Sequence, residues 1–231
     1  MCIRDSYGAM QVDFRRSGAD QADVGAIATW LRLGEQQAER LEGPDYDASR
    51  FKQALTALRT LTTARPEVFE PTMRRLLREA GVAFVLVPAI PRARVSGVAR
   101  WLAPHRPLIQ LSLYGKTNDK FWFTFFHEAA HVLLHGGNKS ARQSIFLDDP
   151  SSAHTDDPRE HEANVWAGNW LIPADQAHML PKLRSKAAVR AFAQQLGIHP
   201  GIVVGRLQHD GLIPPSWFND LKTTLVFKMD A

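Results

Sequence analysis

Residues 127–131 read His-Glu-Ala-Ala-His, and residues 160–164, beyond a long polar stretch, read Glu-His-Glu-Ala-Asn. Positions four apart on a helix share a face, one turn apart. His127 and His131 can therefore grip one zinc ion from a single rigid element. Glu128 lies about 100° around the helix from His127. That places it beside the ion rather than on it, where it can take a proton from the water in the open fourth position. A plain core helix has no reason to carry these residues mid-length, because each polar group buried unsatisfied costs about 1–3 kcal/mol. A catalytic zinc takes three protein ligands. In the pattern that continues to a third histidine, that histidine would fall on Gly137 and a glycine on Leu134, which leaves a carboxylate from a second helix. Glu160 and Asn164 share a face with Ala163, Ala167 and Leu171, the small or apolar residues expected to pack on the first helix. The reading therefore makes Glu160 the third metal ligand, with Asn164 orienting a metal-bound histidine from behind. Glu162 points about 200° away from Glu160 and stands as the alternate ligand.

Working outward, the first motif belongs to a helix expected from about Lys120 to His135, capped by Asn118 or Asp119 and stopped by Gly136-Gly137. The second belongs to a helix expected from Pro158 to Leu171, closed by Pro173. Before them, Val82–Ile90, Val95–Ala103 and Pro107–Leu113 are short, rich in branched residues and separated by prolines. They read as three strands of one sheet. Between the motifs, residues 136–158 read as a long loop with one edge strand, Ser144–Asp148; a loop that long is often functional. Further upstream, apolar spacing predicts helices over Ala26–Arg40, Phe51–Leu61 and Pro71–Ala80. Downstream it predicts a pair over Lys186–Leu196 and Ile202–Gln208, joined by a Gly-Ile-His-Pro-Gly turn. The chain divides on this reading into a helical region over residues 1–70, a core over 71–180 and a helical, helix-turn-helix-like extension over 181–231. The opening hexapeptide fits no pattern and is expected to be non-native, with the natural chain continuing upstream.

The two motifs together, HEAAHVLLHG and EHEANVWAGNWLIP, resemble the ImmA/IrrE family of metallopeptidases. The matching positions are His127, Glu128, His131, Glu160, Glu162, Ala163, Asn164, Trp166, Ala167, Ile172 and Pro173. Trp166 stands where the family usually has phenylalanine. The resemblance extends over roughly residues 25–220. It is closest to members fused to a helix-turn-helix repressor domain, a domain with no counterpart in these residues. It implies an α+β, zincin-like fold, with a small sheet packed on the HExxH helix and a glutamate helix, between helical N- and C-terminal parts. It also implies a Zn²⁺-dependent endopeptidase whose protein substrate is a helix-turn-helix repressor or antitoxin, cleaved to release gene expression.

Other positions carry weaker signals. His135, one turn past His131, reads as a last-turn cation favoured by the helix dipole, with an approach to the cleft as the alternative. His154 in the polar loop and Tyr114 are candidates to contact substrate or a developing oxyanion. The strand over Leu108–Leu113 is a candidate edge for an extended peptide. Of the 231 residues, 28 are Lys or Arg and 24 Asp or Glu. The whole excess lies in residues 181–231, with seven basic residues against three acidic. That leaves DNA as a weakly suggested partner, since the second helix of the pair offers only Arg206, Gln208 and His209 to read bases. The competing functions are therefore a non-catalytic metal-binding regulator and a DNA-binding transcriptional regulator. A single cysteine, Cys2, excludes a disulfide framework and a cysteine-ligated zinc site. With no apolar run near 20 residues and no secretory pattern, no membrane association and a cytoplasmic location are expected.

Overall fold

Alternation along the first strand sorts its side chains onto two faces, and each face has its own cover. A computed structural model describes residues 23–112, 117–136, 146–148 and 157–227. Tyr114, His154, Cys2 and the opening hexapeptide lie outside them. The strands β1 (Ala83–Leu86), β2 (Gly97–Ala103), β3 (Arg106–Leu111) and β4 (Phe146–Asp148) form one mixed sheet in the order β1-β3-β2-β4. β1 runs parallel to β3 with Ala83 opposite Leu108. β2 runs antiparallel to both β3 and β4, pairing Val98 with Gln110 and with Leu147. Phe84 and Leu86 face one apolar cluster, Ala83 and Val85 the other, as a period of two demands. The region expected to supply an edge for a peptide, Leu108–Leu111, is β3, which is paired on both sides. Its backbone is consumed by the sheet.

Helix α1 (Val24–Glu39) covers the second face with Ile27, Trp30 and Leu31. Its N-cap Asp23 accepts from the amides of Gly25 and Ala26, satisfying donors that the first turn leaves open. The sheet beneath is not purely apolar. Arg100 donates to the Leu31 carbonyl at 2.8 Å and Gln110 to the Trp30 carbonyl at 2.7 Å. Gly34 is required there, because a Cβ would sit 2.0 Å from Gln110 Oε1.

The other face carries the larger cluster, which runs from Phe51 to Phe227. It holds α2 (Ala48–Thr60), α3 (Pro66–Glu79) and α4 (Asn118–Ala130), with α5 (Pro158–Leu171), α6 (Lys186–Leu196) and α7 (Pro200–His209) beyond. α3 begins five residues earlier than the sequence suggests. Pro66, not Pro71, occupies the first turn, where a missing amide costs nothing. Phe69 then anchors that turn against Trp122, their ring centroids 4.9 Å apart. Arg59 of α2 donates to the carbonyls of Trp170, Leu171 and Leu196 at 2.7–3.0 Å. One guanidinium thus closes the C-terminal ends of both α5 and α6.

The C-terminal pair packs on α4 through glycines. A Cβ on Gly201 would meet Asn118 Oδ1 at 2.7 Å, and one on Gly205 would meet Asp119 Oδ2 at 2.7 Å. Gly201, Ile202, Val203, Val204 and Leu207 of α7 are buried. Its polar side chains are engaged within the chain. Arg206 pairs with Asp210 at 2.7 Å, and Gln208 donates to the Pro215 and Trp217 carbonyls and to Asn219. Two of the three groups expected to read DNA are therefore committed to packing. Among the described residues, no helix is long and apolar enough to cross a membrane.

His199 caps α7. Its Nδ1 accepts from the Gly201 amide at 3.0 Å and faces Asn118 Nδ2 at 2.6 Å, so its hydrogen belongs on Nε2. Burial lowers its pKa below the ordinary imidazole value of 6.5, against a smaller opposing pull from Asp119. The unfolded chain then takes up the proton first as pH falls. The contribution of His199 to stability is then level above about pH 6.5 and declines below it, toward the folded-state value. We expect His199→Asn, which keeps a capping acceptor, to flatten that decline in thermal melts between pH 8 and pH 5. Parallel curves for wild type and variant would refute this origin of the acid sensitivity. The metal-site histidines titrate alike in both proteins and cancel from the comparison.

Candidate metal centre

α4 is buried on every side: Phe121, Trp122, Phe125, Phe126, Ala129 and Ala130 all lie in the core. An α-helix apolar all round is a central helix, and the polar residues it carries must be satisfied inside. His127 is 3% exposed, His131 2% and Glu128 0%. α5 crosses close to α4 because the residues at the contact are small, Ala163 and Ala167 being wholly buried. The N-cap Asp157, accepting from the Arg159 amide at 2.9 Å, starts α5 where its first turn meets the middle of α4.

That crossing brings three donors together. His127 Nε2 and His131 Nε2 are 3.0 Å apart. Glu160 Oε2 lies 3.2 Å from His127 Nε2, and Oε1 lies 3.3 Å from His131 Nε2. These are the only three residues of the described chain found in such a cluster of possible ligand atoms. A tetrahedral ion bound at about 2.0–2.1 Å sets its ligand atoms roughly 3.3–3.4 Å apart. The three distances are that size within a few tenths of an ångström, the two from Glu160 ending on different carboxylate oxygens.

Protonation fits as well. His127 Nδ1 lies 3.0 Å from Asn164 Oδ1; assigned from that contact, the hydrogen sits on Nδ1 and the lone pair on Nε2. Burial is the main reason that the His131 pKa falls to about 4, with Glu160 pulling the other way. For Glu160, burial favours the neutral acid, but the facing imidazoles of His127 and His131 outweigh it and hold the pKa at about 2. Two neutral imidazoles and a carboxylate are the ligating forms of all three groups. Facing one another at 3.0–3.3 Å, they suit a divalent cation between them.

Glu128, about 100° around α4 from His127, lies against β2. A Cβ on Gly97 would come 2.7 Å from Glu128 Oε1 and 2.7 Å from Thr124 Cγ2. Only a glycine lets the strand approach the carboxyl so closely. Glu162 is not among the converging donors. Its side chain, 61% exposed, reaches the end of α4, where Oε2 lies 3.1 Å from His135 Nε2. His135 is 8% exposed, and its Nδ1 lies 3.1 Å from His131 Nδ1. It is therefore a buried partner of His131, not an exposed last-turn cation. The recurrence of histidine at 127, 131 and 135, every fourth residue, is the sequence signal for it.

Comparison with known proteins agrees with this geometry. A family model described as the IrrE N-terminal-like domain, of the peptidase M78 class, matches residues 91–208, just over half of the chain and both motifs. No curated protein matches the chain.

Proposed function

The chain belongs to the IrrE N-terminal-like family of metallopeptidases, and from that premise we propose that it is a zinc-dependent endopeptidase acting on a helix-turn-helix repressor or antitoxin. The observation that carries the reading is the convergence of His127, His131 and Glu160 on one point, with Glu128 on the next position of the same helix. Two imidazole nitrogens and one carboxylate oxygen form a donor set that suits Zn²⁺ better than the all-oxygen ions. When bound, the cation supplies Lewis-acid polarisation of a substrate carbonyl and acidification of a water.

The residues divide the remaining work. Nε2 of His127, Nε2 of His131 and the Glu160 carboxylate would hold the ion on two helices packed in the core. Asn164 Oδ1 accepts the Nδ1 hydrogen of His127 and keeps its other nitrogen aimed at the site. The Glu128 carboxylate takes a proton from the attacking water and returns it to the leaving nitrogen as the peptide bond breaks. Burial of Glu128 excludes bulk water from that exchange. Tyr114 and His154 remain candidates for contacts to the developing oxyanion. The repressor or antitoxin substrate rests on the family resemblance and not on the geometry of the site.

The test is incubation of the purified chain with candidate repressors, followed by intact-mass analysis. We expect discrete cleavage that a strong chelator stops and added zinc restores. Cleavage that proceeds unchanged in chelator overturns the reading. So does a zinc-loaded chain that cuts none of the candidate repressors.

A further inference from the structure

We propose that His135 and Glu162 act together as positioning residues: they fix the tautomer of His131 so that its Nε2 is free to bind the metal. This deepens the metal-site reading above and rests on it.

The argument is one of counting hydrogens. His131 Nδ1 and His135 Nδ1 lie 3.1 Å apart, so one of the two carries the shared hydrogen and the other accepts it. Their Nε2 atoms face different partners. His131 Nε2 faces His127 and Glu160, while His135 Nε2 faces Glu162 Oε2 at 3.1 Å. If His135 Nδ1 held the shared hydrogen, a neutral His135 would present its Nε2 lone pair to the Glu162 carboxylate. Two acceptors would then oppose each other at hydrogen-bond distance. His131 would carry its hydrogen on Nε2, pointing into the metal position. In the other arrangement His135 Nε2–H donates to Glu162, His135 Nδ1 accepts from His131 Nδ1–H, and His131 Nε2 keeps its lone pair. With His135 neutral, Glu162 therefore selects, through it, the tautomer that binds metal. A carboxylate behind a metal-bound histidine commonly plays this part directly; here a second imidazole is interposed.

Two features of the fold build the chain. α4 ends in a wider turn, His131–His135, wound as π-helix, a local departure often found at functional sites. That turn sets the two rings 5.2 Å apart. α5 then supplies three groups from one stretch. Glu160 reaches the metal position, Asn164 backs His127, and Glu162, rotated away from both, backs His131 through His135. Both histidine ligands are thus oriented from the helix that carries the third ligand.

The experiment measures Zn²⁺ affinity by competition with a chromophoric chelator, using the full chain. It includes His131→Ala, His135→Ala, His135→Gln, Glu162→Ala and the double His135→Ala/Glu162→Ala, and thermal melts of the metal-stripped proteins report folding. We expect His135→Ala to bind about 10- to 100-fold more weakly. His135→Gln, whose amide can accept from His131 and donate to Glu162, should recover to within about threefold of wild type. Glu162→Ala should lose less than about tenfold, and the double variant no more than His135→Ala alone, because the two act in series. In Co²⁺-loaded protein the visible absorption should change in His135→Ala and return in His135→Gln. A folded His135→Ala with wild-type affinity and an unchanged cobalt spectrum overturns the proposal, as do an unrescued His135→Gln and additive losses in the double variant. Wild-type affinity in His131→Ala is a different failure: it removes the ligand assignment itself.

Discussion

Glu128→Gln is expected to abolish peptide hydrolysis while leaving the fold and zinc content intact. The substitution keeps size and shape, which matters at a side chain with no exposed surface and with the Gly97 backbone pressed against it. It removes only the ability to take up a proton. General acid–base catalysis contributes about 10²–10⁴ to rate, and a peptide bond whose attacking water has no base loses that factor at the least. The metal should be unaffected, because His127, His131 and Glu160 form their triangle without Glu128. Parallel measurement of cleavage rate, bound zinc and melting temperature separates the outcomes. Cleavage at the wild-type rate would sink the assignment of Glu128 as base. Loss of zinc with loss of rate would make it a structural support instead.

Glu160→Gln should be the second large effect, and it acts at an earlier step. It withdraws the one anionic ligand, leaving two neutral nitrogens 3.0 Å apart and a weak amide oxygen. Zinc affinity should fall by roughly 10³-fold or more, beyond the 10- to 100-fold that orienting partners contribute. Hydrolysis should disappear at stoichiometric zinc and return only in part with excess metal. The same measurement on Glu162→Gln decides between the two glutamates. If Glu162→Gln lost the metal and Glu160→Gln kept it, the ligand set would have to be redrawn around Glu162. The 3.2 and 3.3 Å approaches of Glu160 to the two histidines argue for the opposite result.

The pairing of His127 with His131 is legible in sequence because it is local: a four-residue step on any helix brings two side chains to one face. The convergence of Glu160 with the two histidines is legible for nearly the same reason. It shares a helical face with Ala163 and Ala167, and small residues mark where two helices can approach. The helix ends are legible where a proline announces them, as Pro158 and Pro173 do for α5. Pro71 misleads because a proline reads as a helix start, while Pro66 five residues earlier already supplies one.

His135 is the clearest case of the other kind. Judged by its own helix, it is a cation near a C-terminus; its partner Glu162 arrives from a different helix, 27 residues on. The role of β3 is similar. Nothing in its own residues says that β1 will lie parallel to it on one side while β2 returns antiparallel on the other. Arg100 and Gln110 are polar residues of the sheet, and the carbonyls they donate to come only from α1, which covers them. α7 follows α6 as the second helix of a helix-turn-helix would, but its few base-reading groups favour a packing role, and its glycines press on Asn118 and Asp119.

By itself the sequence determined the four-residue spacing of His127 and His131, the order of helices and strands, and which faces are apolar, because each follows from the period of a helix or a strand over a few residues. Only the tertiary structure decided which strand is internal, what stands behind His131, and which polar groups remain available to a partner. Those depend on contacts between segments far apart in the chain, and such contacts are set by how whole faces pack and not by any local repeat.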